Sequence, residues 1–422
     1  MNIANLIKTS AVVLLLAATF LSAPADAQRR GKVAKAEPLY PNATRVEPKI
    51  KPVPKLQRDL SKISKAYDDD KYDEIPALAE AILANKAAGP YERALANQFL
   101  GVALSDKDDY PGAITAFKKA IDENILGNDQ HYQLMYQVAQ MMVQESQYDD
   151  ALAMLDRFMA ETKADKPEAS LLKAHILYEQ EKYAEAVPPL KHAIATSDKP
   201  QENWYQLLIQ LYVEQEKYDD AIAVARELAD KNPNDVKYQT NLAAVLVDAE
   251  RNLEAANVLE AARAKGLLND ERGYRQLYAL YYNLDGQENK VVEVINEGLA
   301  KNILKPTVEV YSILAQTYYN QDKIDQAIET YRKAGSVATD GESTLNLARL
   351  LSNEARFAEA KAAAKEALGK GLKRPGDAWV VIGRAEHGLG NKAGVVAAYK
   401  EAAKYPETAQ SANEWLKKNG AK

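Results

Sequence analysis

Cysteine is absent from all 422 residues. That excludes a disulfide framework, thiolate nucleophiles, thiolate metal ligands and a lipid-anchored cysteine at the N-terminus. Histidine is nearly as scarce. His131, His175, His192 and His387 are the full set, and no two have metal-ligand spacing; each reads as surface or groove lining. No alternating strand pattern is present, so no glycine-rich phosphate loop follows a strand. Catalytic residues, metal ligands and cofactors are therefore not expected. The 60 Asp and Glu against 54 Lys and Arg lie in Glu/Lys mixtures of the kind found on solvated helix faces. With a net positive balance only in the N-terminal segment and an acidic balance beyond Lys55, nucleic acid is not an expected partner. Long apolar runs are also lacking, apart from Ala11–Leu21 with Thr19 inside it. That run is too short for an ordinary membrane span, so no stable membrane insertion is expected. Lys8 before it and Ala25-Asp26-Ala27 after it read as a secretory signal peptide over 1–27, so an exported mature chain is expected to begin at Gln28.

The next segment, 28–55, differs in composition from everything after it. Eight basic residues (Arg29, Arg30, Lys32, Lys35, Arg45, Lys49, Lys51, Lys55) face only Glu37 and Glu47, and five prolines interrupt it. Lys49-Ile50-Lys51-Pro52-Val53-Pro54 reads as extended polyproline-like chain. The expectation is a solvated linker, with a basic arm touching anionic lipid or cell-wall polymer as the sharper alternative. Asn42-Ala43-Thr44 matches a glycosylation sequon as a chance match.

From 56 onward a single pattern recurs. Between Val308 and Asp340, Tyr311, Leu314, Ala315 and Tyr318 share one side of a first helix. After a polar turn at 320–323, Ala327, Tyr331 and Ala334 lie on a second. Large residues on one helix and small ones on the other let an antiparallel pair interlock. Units start at Leu56, Ala94, Tyr132, Pro167, Glu202, Val236, Glu271, Val308, Gly341 and Gly376, with spacings of 33 to 38 residues. The small second-helix residue recurs as Ala113, Ala151, Ala186, Ala221, Ala255, Ala327 and Ala360, usually three residues after an aromatic such as Tyr110, Tyr148, Tyr183, Tyr218 or Phe357. This is the signature of the tetratricopeptide repeat. It predicts an all-α solenoid over 56–406, a right-handed superhelix of about ten antiparallel helix pairs. A capping helix follows over 407–422, with Ala409, Ala412, Trp415 and Leu416 on one face. Pro188-Pro189 inside a second helix should kink it, the unit from Glu271 needs an extra residue near 285–287, and Pro76 makes the first unit the least regular.

A stack of such pairs presents its first helices along a concave surface. Most of the 24 tyrosines occupy packing positions. Tyr136, Tyr178, Tyr282 and Tyr319 instead fall on that inner side, where flat apolar area with a hydroxyl suits the gripping of a peptide. Gln140, Gln210, Gln316, Asn283, Asn320 and Asn353 share the face. Arg349 and Arg384 take the same first-helix position 35 residues apart, and Arg275 extends the row. Such a stripe suits an acidic side chain or a C-terminal carboxylate, unless Glu342 and Asp377 simply neutralise it.

The chain as a whole resembles the exported tetratricopeptide-repeat proteins associated with TonB–ExbB–ExbD energy-transduction systems of Gram-negative bacteria. The resemblance rests on the signal peptide and basic lead, the ten or so units, Gly371-Leu372-Lys373-Arg374-Pro375-Gly376-Asp377 before the last pair, and the tail 409–420 through Trp415. It implies a non-catalytic periplasmic accessory to TonB-dependent uptake that works through protein contacts, TonB-system components among the expected partners. The alternative is an envelope-assembly or cell-wall scaffold unrelated to TonB.

Overall fold

The structure, a computed structural model, describes residues 37–420. The expected signal peptide and the first basic residues after it lie outside that range. Among the described residues there are 21 α-helices, two short 3-10 turns and no strand. The chain divides into two compact units, the first ending at Val224 and the second starting at Ala225.

The first unit contains α1 (Gln57–Asp68), α2 (Ile75–Leu83), α3 (Pro90–Asp106), α4 (Tyr110–Asp122), α5 (Asn128–Gln144), α6 (Tyr148–Thr162), α7 (Pro167–Glu179), α8 (Tyr183–Thr196) and α9 (Glu202–Val213), and the boundary falls inside α10 (Tyr218–Lys231). The second contains α11 (Val236–Asp248), α12 (Asn252–Ala264), α13 (Glu271–Tyr282), α14 (Glu288–Ala300), α15 (Val308–Asn320), α16 (Ile324–Val337), α17 (Glu342–Asn353), α18 (Phe357–Lys370), α19 (Pro375–Gly388), α20 (Lys392–Ala402) and α21 (Pro406–Lys418). The fold is a tetratricopeptide-repeat solenoid of antiparallel helix pairs.

Local chemistry explains where the helices begin. Proline stands in the first turn of α2, α3, α7, α19 and α21, where its missing N–H would have had no partner anyway. Pro76, an irregularity in the sequence, is thereby an ordinary helix opener. Asp270 and Thr307 accept from the backbone N–H groups of Gly273 (2.7 Å) and Val310 (3.3 Å), capping α13 and α15. The helix α8 runs through Pro188 and Pro189 to Thr196. The carbonyls deprived of donors there belong to Ala184 and Glu185, both exposed, and water can satisfy them.

The turn within each pair has one backbone form. A residue with positive φ follows the first helix, and the next N–H bonds the carbonyl five residues back. Asp109 N–H to Leu104 (2.9 Å), Lys182 N–H to Leu177 (2.8 Å) and Arg356 N–H to Leu351 (2.8 Å) are examples. The left-handed residues are Asp108, Glu181 and Ala355 in these cases. That bond satisfies an orphan carbonyl at the helix end. The turn after α13 departs from it: Gly286 (φ 76°) takes the left-handed place and Gln287 N–H bonds Leu284 instead.

Within a pair, small residues meet large ones. Ala113, Ala151, Ala327 and Ala360 are fully buried. A methyl added at Gly101 would sit 2.5 Å from the Phe117 ring, so glycine is required where α3 meets α4. Tyr318 and Tyr331 are each 8% exposed, and the Tyr318 hydroxyl accepts from Asn296 Nδ2 at 3.0 Å. At the C-terminal end, α21 buries Ala412 and Leu416, and Trp415 stacks on Tyr399 with centroids 4.2 Å apart.

Two expectations require correction. Residues 39–47 are not a free linker, although most of them stay exposed: Tyr40 is buried between Tyr132 (5.5 Å) and Phe158 (5.7 Å), because a phenol ring gains more in that apolar slot than in water. His131 is not surface or groove lining either. It is fully buried beside Tyr132, and burial, then the nearby Arg45 charge, lowers its pKa to about 4.

Candidate functional site

The residues expected to line the first-helix face fall into two groups. In the first unit they are largely spent on packing. The Tyr136 ring lies 5.4 Å from Phe158, and its hydroxyl donates to the Glu168 carbonyl at 3.3 Å; burial raises its pKa. Gln210 is buried, and its Nε2 donates to the Tyr178 hydroxyl at 2.6 Å, tying α9 to α7. The Tyr178 ring also lies 5.8 Å from Tyr183. Gln140 is half-buried on α5. These side chains join successive repeats and leave little open surface.

The second unit is different. Tyr282 and Tyr319 are 41% and 37% exposed, and each is the twelfth residue of its helix, α13 and α15. Successive first helices thus present a tyrosine at the same position. Asn283, Asn320 and Asn353 stand exposed at the ends of α13, α15 and α17. Asn283 Nδ2 donates to the Ala279 carbonyl (3.0 Å), and Asn320 Oδ1 accepts from Gln316 Nε2 (2.9 Å). Gln316 Oε1 in turn accepts from the Tyr331 hydroxyl at 3.2 Å. The result is an exposed set of polar side chains beside two partly exposed aromatic rings.

The arginine row is mostly compensated from within. Arg275 donates to Glu271 (3.0 Å) on its own helix and to Glu309 (2.8 Å) at the start of α15. Arg349 donates to Asp377 at 3.0 Å and to Asn346 at 3.2 Å, and Arg374 holds the same Asp377 at 3.3 Å. Glu342 accepts instead from the Lys373 N–H at 2.9 Å. Each compensating carboxylate across a repeat sits in the first turn of the following first helix, where the positive end of the helix dipole also favours it. Arg384 is exposed on α19 with no carboxylate partner among the described residues. The continuous acidic-ligand stripe expected of Arg275, Arg349 and Arg384 reduces to this one open guanidinium.

Carboxylates were expected on solvated faces, but Glu92 and Glu386 are buried, and a further group of carboxylates gathers around a buried arginine. Arg263, its side chain 7% exposed, is held by Glu260 (2.7 Å), Glu293 and Glu297. Lys290 and Lys301 close on Glu260 (3.0 Å) and Glu297 (2.6 Å), and the Tyr274 hydroxyl donates to Glu297 at 2.9 Å. Hydrogen bonds to Glu260 lead the causes that push the Arg263 pKa up. The cluster joins α12 to α14 and is fully paired. Among the described residues no group of three or more His, Asp or Glu side chains is placed to hold a metal ion, and no helix is long and apolar enough to cross a membrane.

Models of the tetratricopeptide repeat match residues 207–268 and 308–338, and one described as anaphase-promoting complex, cyclosome, subunit 3 matches 144–228. No curated protein matches the sequence. Among solved structures, a tetratricopeptide-repeat protein from Parabacteroides merdae is 15% identical, covering 61% of this chain and 98% of that one, with a TM-score of 0.36. MamA from Desulfovibrio magneticus is 19% identical, covering 41% and 96%, with a TM-score of 0.32. Proteins of this repeat fold typically act as scaffolds for protein–protein contacts. The recurring left-handed turns, the interlocked helix pairs and the family matches agree: this chain is a tetratricopeptide-repeat protein.

Proposed function

We propose that the chain is a non-catalytic, exported scaffold that grips an extended segment of a partner protein on the first-helix face of its second unit. Its setting is the periplasm, as an accessory to TonB-dependent outer-membrane uptake. The observation that carries the peptide-binding part is the pair Tyr282 and Tyr319, exposed at the same place on successive first helices. Each tyrosine is left about two-fifths exposed there, and such rings supply rigid contact area at low entropic cost. The adjacent asparagine amides offer donors and acceptors to a peptide backbone. The periplasmic and TonB-linked part rests on the leader sequence, the tail and the segment 371–377, as read from the sequence.

The test is crosslinked capture of partners from intact periplasm by the wild-type chain and by Tyr282→Ala/Tyr319→Ala. The double variant should keep its helical circular dichroism and lose about tenfold or more of the captured partner. Undiminished capture would rule the face out. Deleting the gene should impair growth on substrates that need TonB-dependent uptake. Equal growth on every chelated-iron source, together with misshapen or detergent-sensitive cells, would assign the chain to envelope assembly instead.

A further inference from the structure

The N-terminal strap is bound the way a peptide ligand is bound. Tyr40 is its anchor, 6% exposed among Tyr132 and Phe158, with Lys166 Nζ 4.3 Å above its ring. Leu39 N–H donates to Asp129 Oδ1 (3.0 Å), and Thr44 N–H donates to the Glu161 carbonyl (2.8 Å). Arg45 donates to Asn124 Oδ1 (2.7 Å), the Leu126 carbonyl (3.0 Å) and Asn128 Oδ1 (2.6 Å). Asn128 returns a bond to the Arg45 carbonyl (2.9 Å), and its own N–H donates to Glu47 (3.1 Å). The slot is thus made by α5, α6 and the loops beside them.

The connection to the rest of the chain is slight. Residues 48–52 make no hydrogen bond among the described residues and run exposed except for Pro48. Pro48, Pro52 and Pro54 fix φ and remove donors, so this stretch holds no structure that opening would destroy. The seat itself is imperfect. Arg45 Nη2 and both ring nitrogens of His131 are buried without partners, which lowers the cost of leaving it.

We propose that the strap exchanges between two copies of this chain, residues 39–47 of each seating in the slot of the other. A second copy is the occupant because the slot is complementary to this segment, and every contact is reproduced when the segment comes from another chain. The order of synthesis favours it too. The strap is made 79 to 117 residues before its hydrogen-bond partners on α4–α6 and their loops, so each new chain passes through an interval with a free strap and no slot of its own. A tethered strap competes at an effective concentration of order millimolar. Exchange therefore sets in during folding at high chain concentration, and the closed monomer dominates in dilute solution.

The absence of cysteine makes the test direct. Full-length chains carrying Thr44→Cys alone and Glu161→Cys alone are unfolded together, refolded over a range of concentrations and oxidised. The expected product is a disulfide-linked heterodimer whose share rises with concentration. It should fall about tenfold or more when the first chain also carries Tyr40→Ala. Should Glu161→Cys fail to fold, Leu39→Cys with Asp129→Cys reports on the same slot, and light scattering of the refolded wild-type chain gives its mass without any thiol. Heterodimers no more abundant than random homodimers, with a wild-type mass of one chain at every concentration, would overturn the proposal. So would a dimer that persists undiminished with Tyr40→Ala.

Discussion

At the scale of single residues, the buried polar groups set the stability behaviour that can be measured. His131 is buried with both nitrogens unpartnered, and its pKa falls to about 4 against an ordinary 6.5. The fold therefore favours the neutral ring. This contribution is full above pH 6.5 and is lost as pH falls towards 4, because the unfolded chain binds the proton first. In His131→Leu the decline in melting temperature over that window should be shallower than in the wild type. At neutral pH the variant should be at least as stable, since no unpartnered nitrogen remains. An identical pH profile for both proteins would refute the assignment. Arg263 is the opposite case, a buried charge with every partner present. Arg263→Met removes the cation that Glu260, Glu293 and Glu297 share while Lys290 and Lys301 stay paired, and should cost about 1–3 kcal/mol in a denaturant titration. Neither residue's role was legible in the sequence. His131 and Arg263 look like ordinary helix-surface residues until packing decides which neighbours face them.

At the scale of the helix pair, the recurring turn is the controlling device. Its left-handed position is occupied by Asp108, Glu181 and Asp322 in some repeats and by Ala355 in another. A Cβ there is strained by about 1–2 kcal/mol. Ala355, exposed at φ 57°, has no side-chain polar group with which to offset that strain. Ala355→Gly should raise stability by about 0.5–1 kcal/mol, the relief of strain outweighing the added freedom of the unfolded chain. A lower denaturation midpoint for the glycine variant would count against this account of the turn. The helix pairs were legible in the sequence because their signal is local: small and large residues alternate at helical spacing within some 35 positions. The turn after α13 was legible for the same reason, as an extra residue that now shows as Gly286 with its altered bond.

At the scale of the whole chain, each repeat leans on its immediate neighbours, so damage should stay local. Tyr331→Ala removes a ring 8% exposed on α16 and should cost about 3–5 kcal/mol through the cavity left behind. Amide exchange should accelerate in α15–α18 and stay unchanged in α4–α6; uniform acceleration across both units would show a single cooperative block instead. The sequence alone determined the all-helical repeat fold and the positions of Tyr282 and Tyr319 on successive first helices, because period and helix face are properties of neighbouring residues. Only the tertiary structure decided that the N-terminal segment lies in a slot far along the chain, that Arg275 and Arg349 are answered by Glu309 and Asp377 of the following repeats, and that Tyr178 and Gln210 bond each other across repeats. Those outcomes depend on which side chains stacking brings together across repeats, and no local pattern encodes that pairing.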